Sequence, residues 1–334
     1  MTARRHIVGL ALLLAFIPMS APIPAEEAAS SVAASQEVPV QQEYRYRLSG
    51  AIRPLLFWVG DGDVGAARIT RREDENSWRN YEFLIGSDPG RVPRGINRWG
   101  WVWEEQREDG ATQMGLMRKI DEQSYEEAQA KAGFEGEYVF KVMRTEISGG
   151  RARAENTVWR VPDDYTYYDL DEMLRLIKEA PQSPPKVNEG PIPSGTHPGL
   201  LFAVSDLVDR AVAAATQNPR ELLENVTTCY NFNATLCELR LRKSDWEESK
   251  EYGGRRYERL VRMEFESHDP NLRGTEEFTL VCGTDGQWKG VPVYIKFQPK
   301  WWFRTEGFID ESQVFEKPQE HTVQSQTGGT EGAH

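Results

Sequence analysis

Cysteine is scarce in this chain: three residues, Cys229, Cys237 and Cys282, all in the second half. With none earlier, an acyl anchor on an N-terminal cysteine is excluded, and an odd count leaves one thiol over in any pairing. Histidine is nearly as sparse. Of five, His6 sits in the N-terminal stretch and His321 and His334 close to the C-terminus, leaving His197 and His268 for the body. A histidine-based triad or a His-rich zinc site has little to be built from. Ser194 stands near His197 in PSGTHPG, but a proline-rich segment gives no rigid scaffold for nucleophilic catalysis. Long apolar runs are missing after residue 25, so nothing there approaches the ~20 residues that cross a bilayer as a helix. Positive charge is in deficit: 40 Lys and Arg face 52 Asp and Glu, for a formal charge of -12. An acidic chain without a basic stripe is repelled by phosphate backbones, which excludes nucleic acid as the expected partner.

What is present begins with MTARRHIVGLALLLAFIPMSAPIPA, residues 1–25: two arginines, an apolar stretch from Ile7 to Ile17, then small residues and prolines. This pattern reads as a secretory signal peptide with cleavage after Ala25, or alternatively Ala21. Its removal would take the formal charge to about -14 and place the protein in the periplasm or outside the cell. Residues 26–43 and 316–334 lack periodicity and read as a disordered linker and a disordered tail. Between them, the prolines and glycines of residues 180–198 read as a linker interrupting regular structure. The body is thus expected in two halves: residues 44–179, rich in strands with short helices, and residues 199–315, a helix followed by antiparallel strands.

Periodicity fills in both halves. In the first, strands are expected at 43–48, 55–59, 64–70, 81–85, 99–105, 115–120, 137–147 and 151–161, with helices at 121–132 and over YDLDEMLRLIKEA. In the second, LLFAVSDLVDRAVAAAT repeats at helical spacing through Leu200, Val204, Leu207, Val208 and Ala211. The strands that follow alternate clearly: Cys237, Leu239 and Leu241 against Glu238, Arg240 and Arg242, then Val261, Met263 and Phe265 against Arg262, Glu264 and Glu266. One apolar and one solvated face is the mark of antiparallel sheet. The fold class predicted is mainly β, a curled antiparallel sheet or open barrel with a few helices.

Motifs that carry chemistry are few. Gly60, Gly62 and Gly65 in LLFWVGDGDVG match a dinucleotide fingerprint, yet AARITRRE after them reads as a strand where a phosphate-binding helix is required. The glycines are instead expected in a hairpin turn, and Asp61 with Asp63 lacks the rest of a calcium loop. Glu104, Glu105, Asp163, Asp164, Asp169 and Asp171 lie near aromatic residues, but in so acidic a chain they read as solvated faces. No catalytic residue, metal ligand or cofactor is therefore predicted. In TTCYNFNATLCELRL a turn at 232–234 would bring Cys229 opposite Cys237, a disulfide that export permits, against the alternative of three buried thiols. Ten tryptophans are the chain's main extravagance. Trp99, Trp101 and Trp103 in RWGWVWEE share one face of a strand, as core beneath a helix, as the wall of an apolar ligand site, or as a sugar-stacking platform. Trp301 and Trp302, being adjacent, must face opposite sides of any strand, so one of them is a candidate contact.

YEFLIGSDPGRVPRGINRWG (81–100), RRYERLVRMEFES (255–267) and VPVYIKFQPKWWF (291–303) resemble stretches of uncharacterised exported bacterial proteins, a domain of unknown function. The plan of strands, a central helix introduced by HPGLLF and a closing VPVYIKF strand is distantly similar to envelope domains with the curled sheet of lipoprotein carriers. The resemblance covers roughly residues 44–310 and brings no catalytic residues. It implies an exported, non-enzymatic envelope protein that binds or carries a lipid-like ligand or envelope component. The alternative is an extracellular carbohydrate-binding or carbohydrate-active protein.

Overall fold

The computed structural model describes residues 42–52, 59–74, 78–92, 97–118, 137–162, 164–178, 184–271, 275–300 and 303–315. The leader, the expected helix at 121–132, Trp58, Trp301, Trp302 and both expected disordered segments, apart from residues 42 and 43, lie outside them. The described chain is mostly strand. In order come β1 (Gln42–Ile52), β2 (Val59–Glu73), β3 (Arg79–Ser87), β4 (Trp99–Arg107), β5 (Gly110–Arg118), β6 (Glu137–Ser148) and β7 (Arg151–Pro162). A 3-10 turn (Tyr167–Asp169) leads into α1 (Leu170–Leu176), followed by β8 (Lys186–Pro191) and α2 (Leu200–Gln217). The remainder is β9 (Glu224–Phe232), β10 (Thr235–Tyr252), β11 (Arg255–His268), β12 (Thr275–Gly283), β13 (Pro292–Lys300) and β14 (Phe303–Ile309).

These strands form one antiparallel sheet ordered β8-β7-β6-β5-β4-β3-β2-β1-β14-β13-β12-β11-β10-β9. Every pair in that order joins sequence neighbours except β1 and β14, which bond from Tyr46 opposite Ile309 to Ile52 opposite Phe303; the neighbours β8 and β9 stand at the two ends. The segment read as a linker contributes β8, an edge strand with Arg151 opposite Pro191, so its prolines end a ladder without preventing one. Three hairpins close with two residues of positive φ: Gly149-Gly150, Gly253-Gly254 and Asn233-Ala234. That geometry matches the strands' right-handed twist.

One expectation is corrected. Gly60, Gly62 and Gly65 form no turn: β2 runs straight through them, paired with β1 across a bulge between Leu48 and Gly50. Gly65 is needed for packing, since a Cβ there would stand 2.0 Å from the carbonyl oxygen of Gly86.

The sheet curls around α2. Leu207, Val208, Ala211, Val212 and Ala215 pack against Tyr230, Cys237, Leu239, Met263 and Leu280. The first half carries a second core on its outer face, where α1 and the 3-10 turn cover Leu84, Trp99, Trp101, Leu116 and Phe140. Among the described residues β8 and β9, the sheet's two ends, do not pair with each other; the free edge of β9 instead takes a single parallel bridge from the segment after β8, with the His197 amide donating to the Cys229 carbonyl (2.9 Å) and the Asn231 amide to the His197 carbonyl (3.0 Å). The two ends overlap: the Gln113 side chain on β5 donates to the carbonyl of Asn231 on β9 (3.1 Å) and accepts from its Nδ2 (2.8 Å), and Asn156 on β7 donates to Asn233 (2.7 Å). Tyr230 points at α2, so Asn231 beside it points outward, into the inner face of β5–β7. The sheet is therefore rolled like a spiral. Among the described residues, no helix is long and apolar enough to cross a membrane, and no cluster of three or more His, Cys, Asp or Glu could hold a metal ion.

Candidate functional site

A cavity of about 310 Å³ lies inside the roll, between α2 and the inner face of the sheet. Its wall is mainly apolar: Leu48, Ile69, Phe83, Ile85 and Val102 from β1–β4, Leu200, Val204 and Val208 from α2, and Phe278, Leu280, Ile295 and Phe297 from β12 and β13. The alternation that solvates one face elsewhere here supplies the lining. Polar side chains are sparse. Arg71, which pairs with Glu73 at 3.1 Å, and Asp209 on α2 border it, and Tyr81 donates to or accepts from Ser205 at 2.8 Å.

Glu104 is the one wholly buried carboxyl in this wall, 1% exposed, which corrects its reading as part of a solvated face. It sits on β4 opposite Tyr81 and Gln113, facing the start of α2. Its two oxygens accept the backbone amides of Leu201 and Phe202, each at 3.2 Å. Gly199, the N-cap residue, contributes no side-chain cap, so a strand residue almost a hundred positions away closes the helix. A Cβ on Gly199 would meet the Glu104 carboxyl carbon at 2.1 Å. Burial pushes the carboxyl up to about 7, partly offset by the amides that stabilise its charged form. A carboxylic acid held near neutrality in an apolar wall can take up a proton when its surroundings become drier.

The tryptophan row faces away from α2. Trp99 and Trp101 border the cavity, but they are buried on the opposite face with Leu84, Phe140, Leu170 and Met173. Trp99 donates to the carbonyl of Tyr165 (3.2 Å) and Trp101 to Glu82 (3.0 Å), a carboxylate also held by Arg68 and Arg72. Trp103 is partly buried on the same cluster. The residues of RWGWVWEE on the cavity face are Arg98, Gly100, Val102 and Glu104, the alternate set. The sequence signal for Glu104 is its place on a strand covered on both sides, but which face meets the helix is not written in the alternation. Trp301 and Trp302 lie outside the described residues.

The Cys229–Cys237 bridge is not formed, and all three thiols are free. The turn falls at Asn233-Ala234, within the expected stretch, but the register sets Cys237 opposite Tyr230 and Cys229 opposite Glu238. The offset of one residue sends the two sulfurs to opposite faces.

No family model matches the sequence, and no curated protein matches it. Among solved structures, the chain is similar to the beta-barrel-like protein of domain of unknown function DUF1849 from Brucella abortus. The two share 6% identity over 82% of this chain and 97% of the other, with a TM-score of 0.37.

Proposed function

We propose that this protein is an exported, non-enzymatic component of the cell envelope that holds a lipid-like ligand between α2 and the curled sheet. The observation that carries the reading is the cavity of about 310 Å³ with its apolar wall, a size within the range of small-molecule sites. Support for export comes from the leader-like residues 1–25. The carbohydrate alternative receives no comparable support, because Trp99 and Trp101 are buried.

Native mass spectrometry of protein purified from its own envelope fraction tests the reading. A releasable apolar ligand is expected, absent from Val204→Trp, where the larger ring fills the cavity. A bare polypeptide mass, together with no uptake of apolar probes by the purified protein, would overturn it.

A further inference from the structure

The cavity wall contains a feature that binding an apolar molecule does not require. One carboxyl, that of Glu104, is 1% exposed in it, at the point where the sheet meets the helix that forms the opposite wall. Resting on the reading above, we infer that the cavity takes a single apolar chain or ring system, and that its entry is coupled to uptake of a proton by Glu104.

The size limit follows from volume. At about 310 Å³ the cavity stands at the small end of small-molecule sites, which suits one short hydrocarbon chain or a compact aromatic and not a two-chain lipid. The coupling follows from the position of Glu104. Glu104 is already 1% exposed, so an apolar ligand against Leu200 and Val102 strips no water from the carboxyl itself; it replaces the water of the cavity it borders with a medium of low dielectric, which penalises the charged form further. By thermodynamic reciprocity, the protonated protein then binds the ligand more tightly than the ionised one. The proton comes from solvent and resides on a carboxyl oxygen of Glu104, and the bonds from the Leu201 and Phe202 amides are weakened, not replaced.

Two carboxyls of the wall are raised by burial, Glu104 on β4 and Asp209 on α2, and Glu104 is the buried one of the two; the Glu104→Gln comparison below separates them. On β3 Glu104 faces the Tyr81 phenol, which bonds Ser205, and on β5 the uncharged Gln113. Of the charges along the same elements, Arg79 on β3 bonds Gln106 and stacks over Phe202, while Asp206 on α2 lies with His197 and Arg210. Arg71 and Asp209 stand on the wall contributed by β2 and the middle of α2, Arg98 just ahead of the strand that carries Glu104, Glu82 on β3 in its bonds to Arg68 and Arg72, and Asp269, Glu276 and Lys289 on the far wall. The displacement of Glu104 toward neutrality has burial as the largest cause, with no charged side chain among the causes.

The probe is N-phenyl-1-naphthylamine, an uncharged aromatic dye with no titration of its own between about pH 5.5 and about pH 8.5. Its affinity for the full chain should weaken about tenfold across that range, the effect of a one-unit change in the Glu104 carboxyl on binding. Glu104→Gln should bind with nearly constant affinity. Calorimetry on the wild type near pH 7, in two buffers of different ionisation enthalpy, should show net proton uptake, and needs no variant to fold. Binding with constant affinity and no proton uptake would overturn the coupling while leaving the binding reading intact. A pH dependence that survives in Glu104→Gln would overturn the assignment to this residue. No dye binding at any pH would overturn both.

Discussion

Glu104 and Gly199 make one contact from two distant parts of the chain, and each can be tested alone. Gly199 has φ -156°, extended backbone open to any residue, so the demand for glycine is steric. Gly199→Ala is expected to lower stability by about 2–4 kcal/mol in urea unfolding, and Glu104→Ala in the same chain should recover part of that loss, the sign of a shared contact. The carboxyl also sets a pH dependence. Its raised folded-state value means the stabilising contribution is complete below about 4.5 and is lost as pH rises through about 7. Glu104→Gln should therefore gain on the wild type as pH rises, approaching about 3 kcal/mol above neutrality, when the two are compared by denaturation at successive pH values. The thiols give a simpler test. Burial pushes Cys237 up to about 12 and raises Cys282 further, whereas Cys229 is half-exposed. A thiol reagent should modify one cysteine in the native protein and three in denaturant.

At the level of elements, the strands with strict alternation were legible: Cys237, Leu239 and Leu241 point at α2 as their pattern requires. So was α2 itself. Less legible were elements whose signal is set by partners. β2 keeps a strand through Gly60, Gly62 and Gly65 because β1 pairs with it on both sides of a bulge, at Gly60 and again at Gly65 where β3 joins, a tertiary demand that overrides local turn preference. β8 forms among prolines because an edge strand needs a ladder on one side only. RWGWVWEE announced a strand with three tryptophans on one face and left the other face solvated, but both are covered, and which of them meets the cavity depends on the curl. Contacts at the overlap should matter more than their number suggests. Gln113→Leu leaves the carbonyl of Asn231 and its side chain without their partner, and should cost about 1–3 kcal/mol. Hydrogen exchange should quicken on β9 and leave β12 unchanged.

For the whole molecule, the pairing of β1 with β14 places both stretches of sequence in one sheet. Nothing local in either strand encodes a partner some 260 residues away, a separation set by Tyr46 and Ile309, so this join could not be read from the sequence. It predicts a single unfolding transition. Hydrogen exchange followed by mass spectrometry should find peptides of β4 and β11 losing protection at the same denaturant concentration. Two separated midpoints would show that the join is too weak to couple them.

The overlap of the sheet's ends has a mechanical meaning. A closed barrel has a circumference fixed by strand number and stagger, so widening it breaks a complete ladder of backbone bonds. Here the roll meets itself through the amides of Gln113, Asn156, Asn231 and Asn233, through Gly190 set close against the carbonyl of Ala234, and through one backbone bridge from His197 to β9. Such a clasp can slip by a few ångströms, exchanging one amide partner for another, while every strand keeps its neighbours. The girth of the roll is then set by a handful of side chains and one backbone bridge along a single slit.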